Sequence, residues 1–123
     1  MREIKFRAYV RKPDLNRNAK MYYSSDLKGF FDDAIFYGDI IMQFTGLQDK
    51  NGVDIYEGDI IEVPDKKQGT VFFDNGSYVV KWSDEFPVMR LTQFRMNKEL
   101  EVIGNIYENK ELLEKSSSQE LLE

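Results

Sequence analysis

Apolar and polar residues alternate through the first ten positions of the chain. Ile4, Phe6, Ala8 and Val10 fall on one side, and Glu3, Lys5, Arg7 and Tyr9 on the other. A period of two over eight residues predicts a half-buried β-strand over 3–10. Lys12-Pro13-Asp14 ends it, because proline lacks the ladder donor and restricts the residue before it. After a turn at Asn16-Arg17-Asn18, a short strand is expected over 20–23. The pattern over 24–38 supports two readings. Ser24-Ser25-Asp26 can cap a helix, and Leu27, Phe30, Phe31 and Ala34 have helical spacing. Gly29 and the Phe-rich run fit a loop or irregular strand equally well.

Further strands are predicted over 39–45, 60–63, 69–73, 77–82 and 101–107. Shorter ones are expected over 88–91 and 94–96, where a short helix is the alternative. Asn51-Gly52 and Asn75-Gly76 predict hairpins of type I′, whose two central residues need positive φ. Residues 109–115 read as a short C-terminal helix with Asn109 as its N-cap. Many short strands with Gly, Asn and Pro turns predict a mainly β fold: a small single-domain barrel or sandwich of short antiparallel strands. The domain is expected over 1–115, followed by a short polar tail over 116–123. Leu121 and Leu122 repeat the pair Leu112/Leu113, so the tail is expected to dock on its own domain or on a second copy.

Composition narrows the chemistry more than the fold. Nine Phe, seven Tyr and one Trp among 123 residues supply enough aromatic area for a core without staples. Cysteine is absent, which removes disulfides, thiolate metal sites and cysteine nucleophiles. Histidine is absent too, which removes Ser-His-Asp catalysis, imidazole ligands and a histidine switch near neutral pH. A zinc enzyme is not expected, nor is any cofactor: no G-x-G-x-x-G or Walker pattern occurs. The first residues carry charges in place of an apolar signal region, and no run approaches the roughly 18 apolar residues that span a bilayer. A soluble, cytoplasmic protein without a membrane partner is expected.

Net charge is −5, which argues against a protein that lives on phosphate contacts. The basic residues nevertheless concentrate early, at Arg2, Lys5, Arg7, Arg11, Lys12, Arg17 and Lys20.

Three segments resemble the YopX family of phage and prophage proteins. The opening Met1-Arg2-Glu3-Ile4-Lys5-Phe6-Arg7-Ala8 is similar to that family's first strand. The central block is more specific: Met42-Gln43-Phe44-Thr45-Gly46-Leu47-Gln48-Asp49-Lys50-Asn51-Gly52, then Ile55-Tyr56-Glu57-Gly58-Asp59-Ile60-Ile61. The third is Glu101 to Asn109, which resembles the family's closing signature. The resemblance implies a mainly β fold and a phage or prophage setting in a bacterial cytoplasm. It implies no reaction and no catalytic residues.

Two blocks invite a functional reading. In Tyr56-Glu57-Gly58-Asp59-Ile60-Ile61, glycine permits a bend, Asp59 can bond local amides and the isoleucines enter the core. That structural reading is favoured over one in which Glu57 and Asp59 form an acid/base pair or hold a hard metal ion. Asp49 to Asp54 begins like a calcium loop but puts Val53 and Asp54 at positions five and six and Ile60 at twelve, so the match fails. The candidate binding surface is therefore the polar side of the first strand, Lys5, Arg7 and Tyr9, with Glu57 and Asp59. The expected function is non-enzymatic binding of another protein, with homo-oligomerisation as one form of it. The alternatives are nucleic-acid binding, through Tyr22, Tyr23, Phe72, Tyr78 and Trp82 as stacking platforms beside the basic strand, and a carboxylate hydrolase.

Overall fold

The computed structural model describes residues 3–64, 67–82, 87–93 and 99–112. Their strands form two antiparallel sheets, as expected. The first sheet has the order β2-β1-β3-β4 and comprises β1 (Phe6–Tyr9), β2 (Met21–Tyr23), β3 (Ile40–Gln48) and β4 (Asp54–Tyr56). The second has the order β8-β7-β6-β5-β9. It comprises β5 (Asp59–Glu62), β6 (Gln68–Asp74), β7 (Ser77–Trp82), β8 (Met89–Arg90) and β9 (Glu101–Asn105). Helix α1 (Phe30–Tyr37) joins β2 to β3.

The chain passes from one sheet to the other between two adjacent residues. The Glu57 N–H donates to Gln43 O on β3 at 3.0 Å, and the next N–H, of Gly58, donates to Val71 O on β6 at 2.8 Å. Gly58 makes this step at φ +85°, and a Cβ there would lie 3.2 Å from Met42 Sδ. The positive φ favours glycine, and a Cβ here would need the Met42 side chain to give by a few tenths of an ångström.

The main core gathers Ile55, Ile61, Val71, Val80, Leu91 and Leu100, all fully buried, with Trp82 and Leu47 packed against it. A second cluster joins Ala8 of β1 to Phe30 and Ala34 of α1, with Phe6 and Tyr22 against them.

The two Asn-Gly turns differ. Asn75 and Gly76 have φ of 49° and 83°, the pair of positive values expected. At the other, Gly52 is at +79° but Asn51 is not in the positive region. This loop is organised instead by Asp49, whose Oδ1 accepts from the N–H groups of Asn51 and Val53 at 2.8 and 2.9 Å. A side chain that bonds its own backbone two residues on replaces the conformation the turn residues would otherwise choose.

The C-terminal helix begins at residue 110, and its described part ends at 112. Asn109 does not cap it forwards; its Oδ1 accepts from the Asn105 N–H at 3.0 Å. The predicted strand over 94–96, the rest of that helix and the tail lie outside the described residues. Among the described residues, no helix is long and apolar enough to cross a membrane.

Candidate functional site

Strand β1 is buried on both faces, which is why its alternation does not produce a solvent face. Ala8, fully buried, turns towards α1, and Arg7 on the opposite face is only 4% exposed. The cause is Asp59, the first residue of β5. Arg7 Nη2 donates to Asp59 Oδ1 at 2.8 Å and to Glu57 O at 3.1 Å, while Asp59 Oδ2 accepts from the Tyr56 N–H at 2.7 Å. The guanidinium also lies 4.7 Å from the Tyr56 ring centroid. Burial pushes the Asp59 carboxyl up to about 6, against the charge and hydrogen bond of Arg7 and the Tyr56 amide, which pull it down.

The five residues singled out from sequence are only partly brought together. Lys5, Arg7 and Asp59 line a common cavity at the edges of the two sheets. Lys5 Nζ is bonded to Asp54 and to Glu3, which raise its pKa above the usual lysine range. Asp54 is held low: burial opposes ionisation, but hydrogen bonds from Lys5 and Gln48 outweigh it. Glu57 turns back to sheet one, where its Oε1 accepts from the Gln43 N–H at 2.8 Å. Tyr9 stacks on Tyr107 with ring centroids 5.3 Å apart. Each carboxylate of the Glu57/Asp59 pair is thus engaged by protein donors. Among the described residues, no group of three or more Asp or Glu converges to hold a metal ion.

The aromatics considered as stacking platforms are dispersed. Tyr22 donates to Asp39, and Tyr23 meets the edge of Tyr56 in sheet one. Phe72, Tyr78 and Trp82 stand on the hairpin β6–β7 of sheet two.

Helix α1 supplies a surface that the sequence left open. Gly29 precedes it at φ +78°, and Gly38 follows it at φ +69°. The stop is completed by the Gly38 N–H to Ile35 O and the Asp39 N–H to Ala34 O, at 3.2 and 2.9 Å, the backbone closure typical of a glycine-terminated helix. Asp39 is then fixed by Arg17 and the Tyr22 hydroxyl. Residues four apart share a helix face, so Phe30 and Ala34 are buried together on sheet one. Phe31 and Ile35 fall on the neighbouring face, and Phe36 stands about 100° further round, beside Asp32. Phe31 is held edge-on by Phe6, at 4.9 Å between centroids. Phe36 meets the Tyr37 ring edge-on, at 4.9 Å between centroids, yet is 80% exposed, and Ile35 is 71% exposed. Leu27, ahead of the helix, and Tyr37, its last residue, are also exposed, and the Arg17 guanidinium lies 3.8 Å from the Tyr37 ring centroid. The surrounding charges are mainly acidic: Asp26, Asp32 and Asp33 against Lys28, all exposed.

A larger cavity, of about 740 Å³, opens between β3 and the β6–β7 hairpin and is lined by Ile4, Thr45, Leu47, Phe73 and Tyr78 among others. Among its described lining residues there is no titratable cluster, so the charged chemistry lies apart from this cavity.

Two antiparallel sheets joined at one glycine, with a clamped ion pair between them and an apolar helix outside, define a small β module. The pattern of the YopX protein family matches residues 5–114, and the chain belongs to that family. Among solved structures it is similar to the crystal structure of protein EF1440 from Enterococcus faecalis. The two share 27% identity over 90% of this chain and 98% of that one, with a TM-score of 0.58. Comparison with curated proteins gives no match.

Proposed function

We propose that this protein is a non-enzymatic binding module that docks another protein through the outer face of α1. The observation that carries the reading is the exposure of Ile35 and Phe36, at 71% and 80%, on a helix of eight residues. A single exposed apolar side chain is ordinary, whereas several on one short helix are the signature of an interaction site. The partner presents an apolar segment flanked by Lys or Arg. The acidic rim of Asp26, Asp32 and Asp33 and the net charge of −5 complement such a segment and repel an acidic one. A role in a phage or prophage programme inside a bacterial cell fits this reading.

The test is capture from nuclease-treated bacterial extract by the wild-type chain and by I35E/F36D. A protein retained by the wild type and lost by the folded double variant, whose bound segment is apolar with basic flanks, supports the proposal. Equal retention by both chains overturns it, as does the absence of any protein retained by the wild type.

A further inference from the structure

The partner chemistry that suits α1 is present in this chain. The loop joining β1 to β2 places Leu15 among Arg11, Lys12, Arg17 and Lys20, with Asp14 its single acid. Leu15 is 104% exposed, so its own copy gives it no cover. The tip that carries it is braced. The Asp14 N–H donates to Arg17 O at 2.9 Å, and Asp14 Oδ1 accepts from the Asn16 N–H at 2.8 Å. Arg17 is tied in turn to Asp39 and lies over the Tyr37 ring. A segment held in place beforehand gives up less freedom on docking.

Loop and helix carry opposite charge. Arg17 is matched by Asp39, which leaves Arg11, Lys12 and Lys20 against Asp14, an excess of two positive charges. The segment 24–38 has Asp26, Asp32 and Asp33 against Lys28, an excess of two negative charges. Among the described residues, these unmatched side chains form no ion pair. Within one copy a groove of about 540 Å³ lies between them, lined by Lys20 of the loop and by Asp26, Leu27 and Asp33. Loop and helix therefore stand side by side on the molecule. A two-fold rotation can set each loop on the helix of the other copy, so that the contact is made twice and closes.

From this complementarity we infer that a second copy of the chain occupies the outer face of α1. Leu15 of one copy packs on Ile35 and Phe36 of the other, and Arg11, Lys12 and Lys20 stand beside the acidic rim of Asp26, Asp32 and Asp33. The inference rests on the reading of α1 as a docking face and names its occupant. A cellular partner with the same basic-flanked apolar chemistry competes with the loop for that face.

The experiment is sedimentation velocity of the purified full chain over a range of concentrations. A loop-on-helix contact is small beside the roughly 1,200 Å² of standard interfaces, so half-dimerisation is expected near about 100 μM. L15E, at a fully exposed position, should weaken the dimer at least about tenfold without disturbing the fold. K12E/K20E and D32K/D33K each set like charges against one another in a self-pair and should be monomeric. Their equimolar mixture should dimerise, because both contacts of the mixed pair then join opposite charges. Three results overturn the inference: a wild type that is monomeric at about 500 μM, a dimer that L15E leaves intact, or a mixture of folded charge variants that stays monomeric. A monomeric wild type that still captures an extract protein through α1 removes this inference alone and leaves the docking reading standing.

Discussion

Arg7 of β1 and Asp59 of β5, 52 residues apart in the chain, meet at 2.8 Å with both side chains buried. One belongs to each sheet, so the pair ties the sheets together close to Gly58, where the chain crosses between them. Removing one partner of a buried pair leaves the other charge uncompensated. Asp59→Ala is expected to destabilise the fold by about 3–5 kcal/mol, the range for a broken buried pair. Asp59→Asn, which keeps an acceptor for the Tyr56 amide, should cost less. Urea unfolding of the two variants checks the order.

The same carboxylate gives the stability a pH signature. Its folded-state pKa, about 6, lies above the ordinary aspartate value of 3.8. The native state therefore holds a proton that the unfolded chain has released. The contribution is fully present below about pH 4 and is lost as pH rises through 6. Asp39 and Asp54 act in the opposite sense. Burial disfavours their ionised forms, but the bonds from Arg17 and Tyr22 to Asp39, and from Lys5 and Gln48 to Asp54, outweigh it and lower both pKa values. Their contribution is present above pH 4 and is lost as pH falls further. Unfolding midpoints of Asp59→Asn between pH 4 and 7 should lack the wild-type decline while keeping the loss at lower pH.

A side chain at Gly58 should be destabilising. At φ +85°, with Met42 Sδ 3.2 Å from a would-be Cβ, Gly58→Ala combines left-handed strain with a close contact. A loss of about 1–3 kcal/mol is expected from these effects together. Thermal unfolding measures it.

Asp49 carries more of the fold than its place in a loop suggests. Besides Asn51 and Val53, it accepts the Val102 N–H at 2.9 Å through Oδ2, and so anchors the β3–β4 loop to β9. Asp49→Ala frees three backbone donors and should cost about 2–4 kcal/mol. Asp49→Asn, which retains one acceptor, should fall between that variant and the wild type. Chemical denaturation ranks the three.

The sequence made the strands legible because alternation and turn chemistry are local. The hairpin Ser77–Trp82, with its partner and its Asn75-Gly76 turn, follows from a few neighbouring residues. Two features needed information from afar. The burial of Arg7 depends on Asp59, so a cationic residue alternating with apolar ones reads as solvent-facing until its distant partner is known. Helix α1 is short and carries exposed apolar residues beside its two aspartates, so its apolar positions do not form the single stripe that marks a surface helix. The glycines at 29 and 38, in hindsight its two boundaries, were the available signal. The calcium-loop comparison failed on the sequence itself, at Val53, Asp54 and Ile60, and the structure adds that the Asp49 carboxylate accepts three backbone N–H groups.

The outer face of α1 should be dispensable for folding. Ile35 and Phe36 are exposed and make little contact with either core cluster, so I35E/F36D should change stability by no more than about 0.5 kcal/mol. Thermal unfolding of the double variant checks this, and the outcome separates loss of binding from loss of structure.

The most direct test of the docking claim places a photo-crosslinking amino acid at position 36, and a control at Asn75 on the exposed β6–β7 turn. Both chains are irradiated in nuclease-treated bacterial extract. The account predicts one discrete protein adduct at position 36, through a basic-flanked apolar segment, and none at position 75. No adduct at position 36, or the same adducts from both positions, would contradict it.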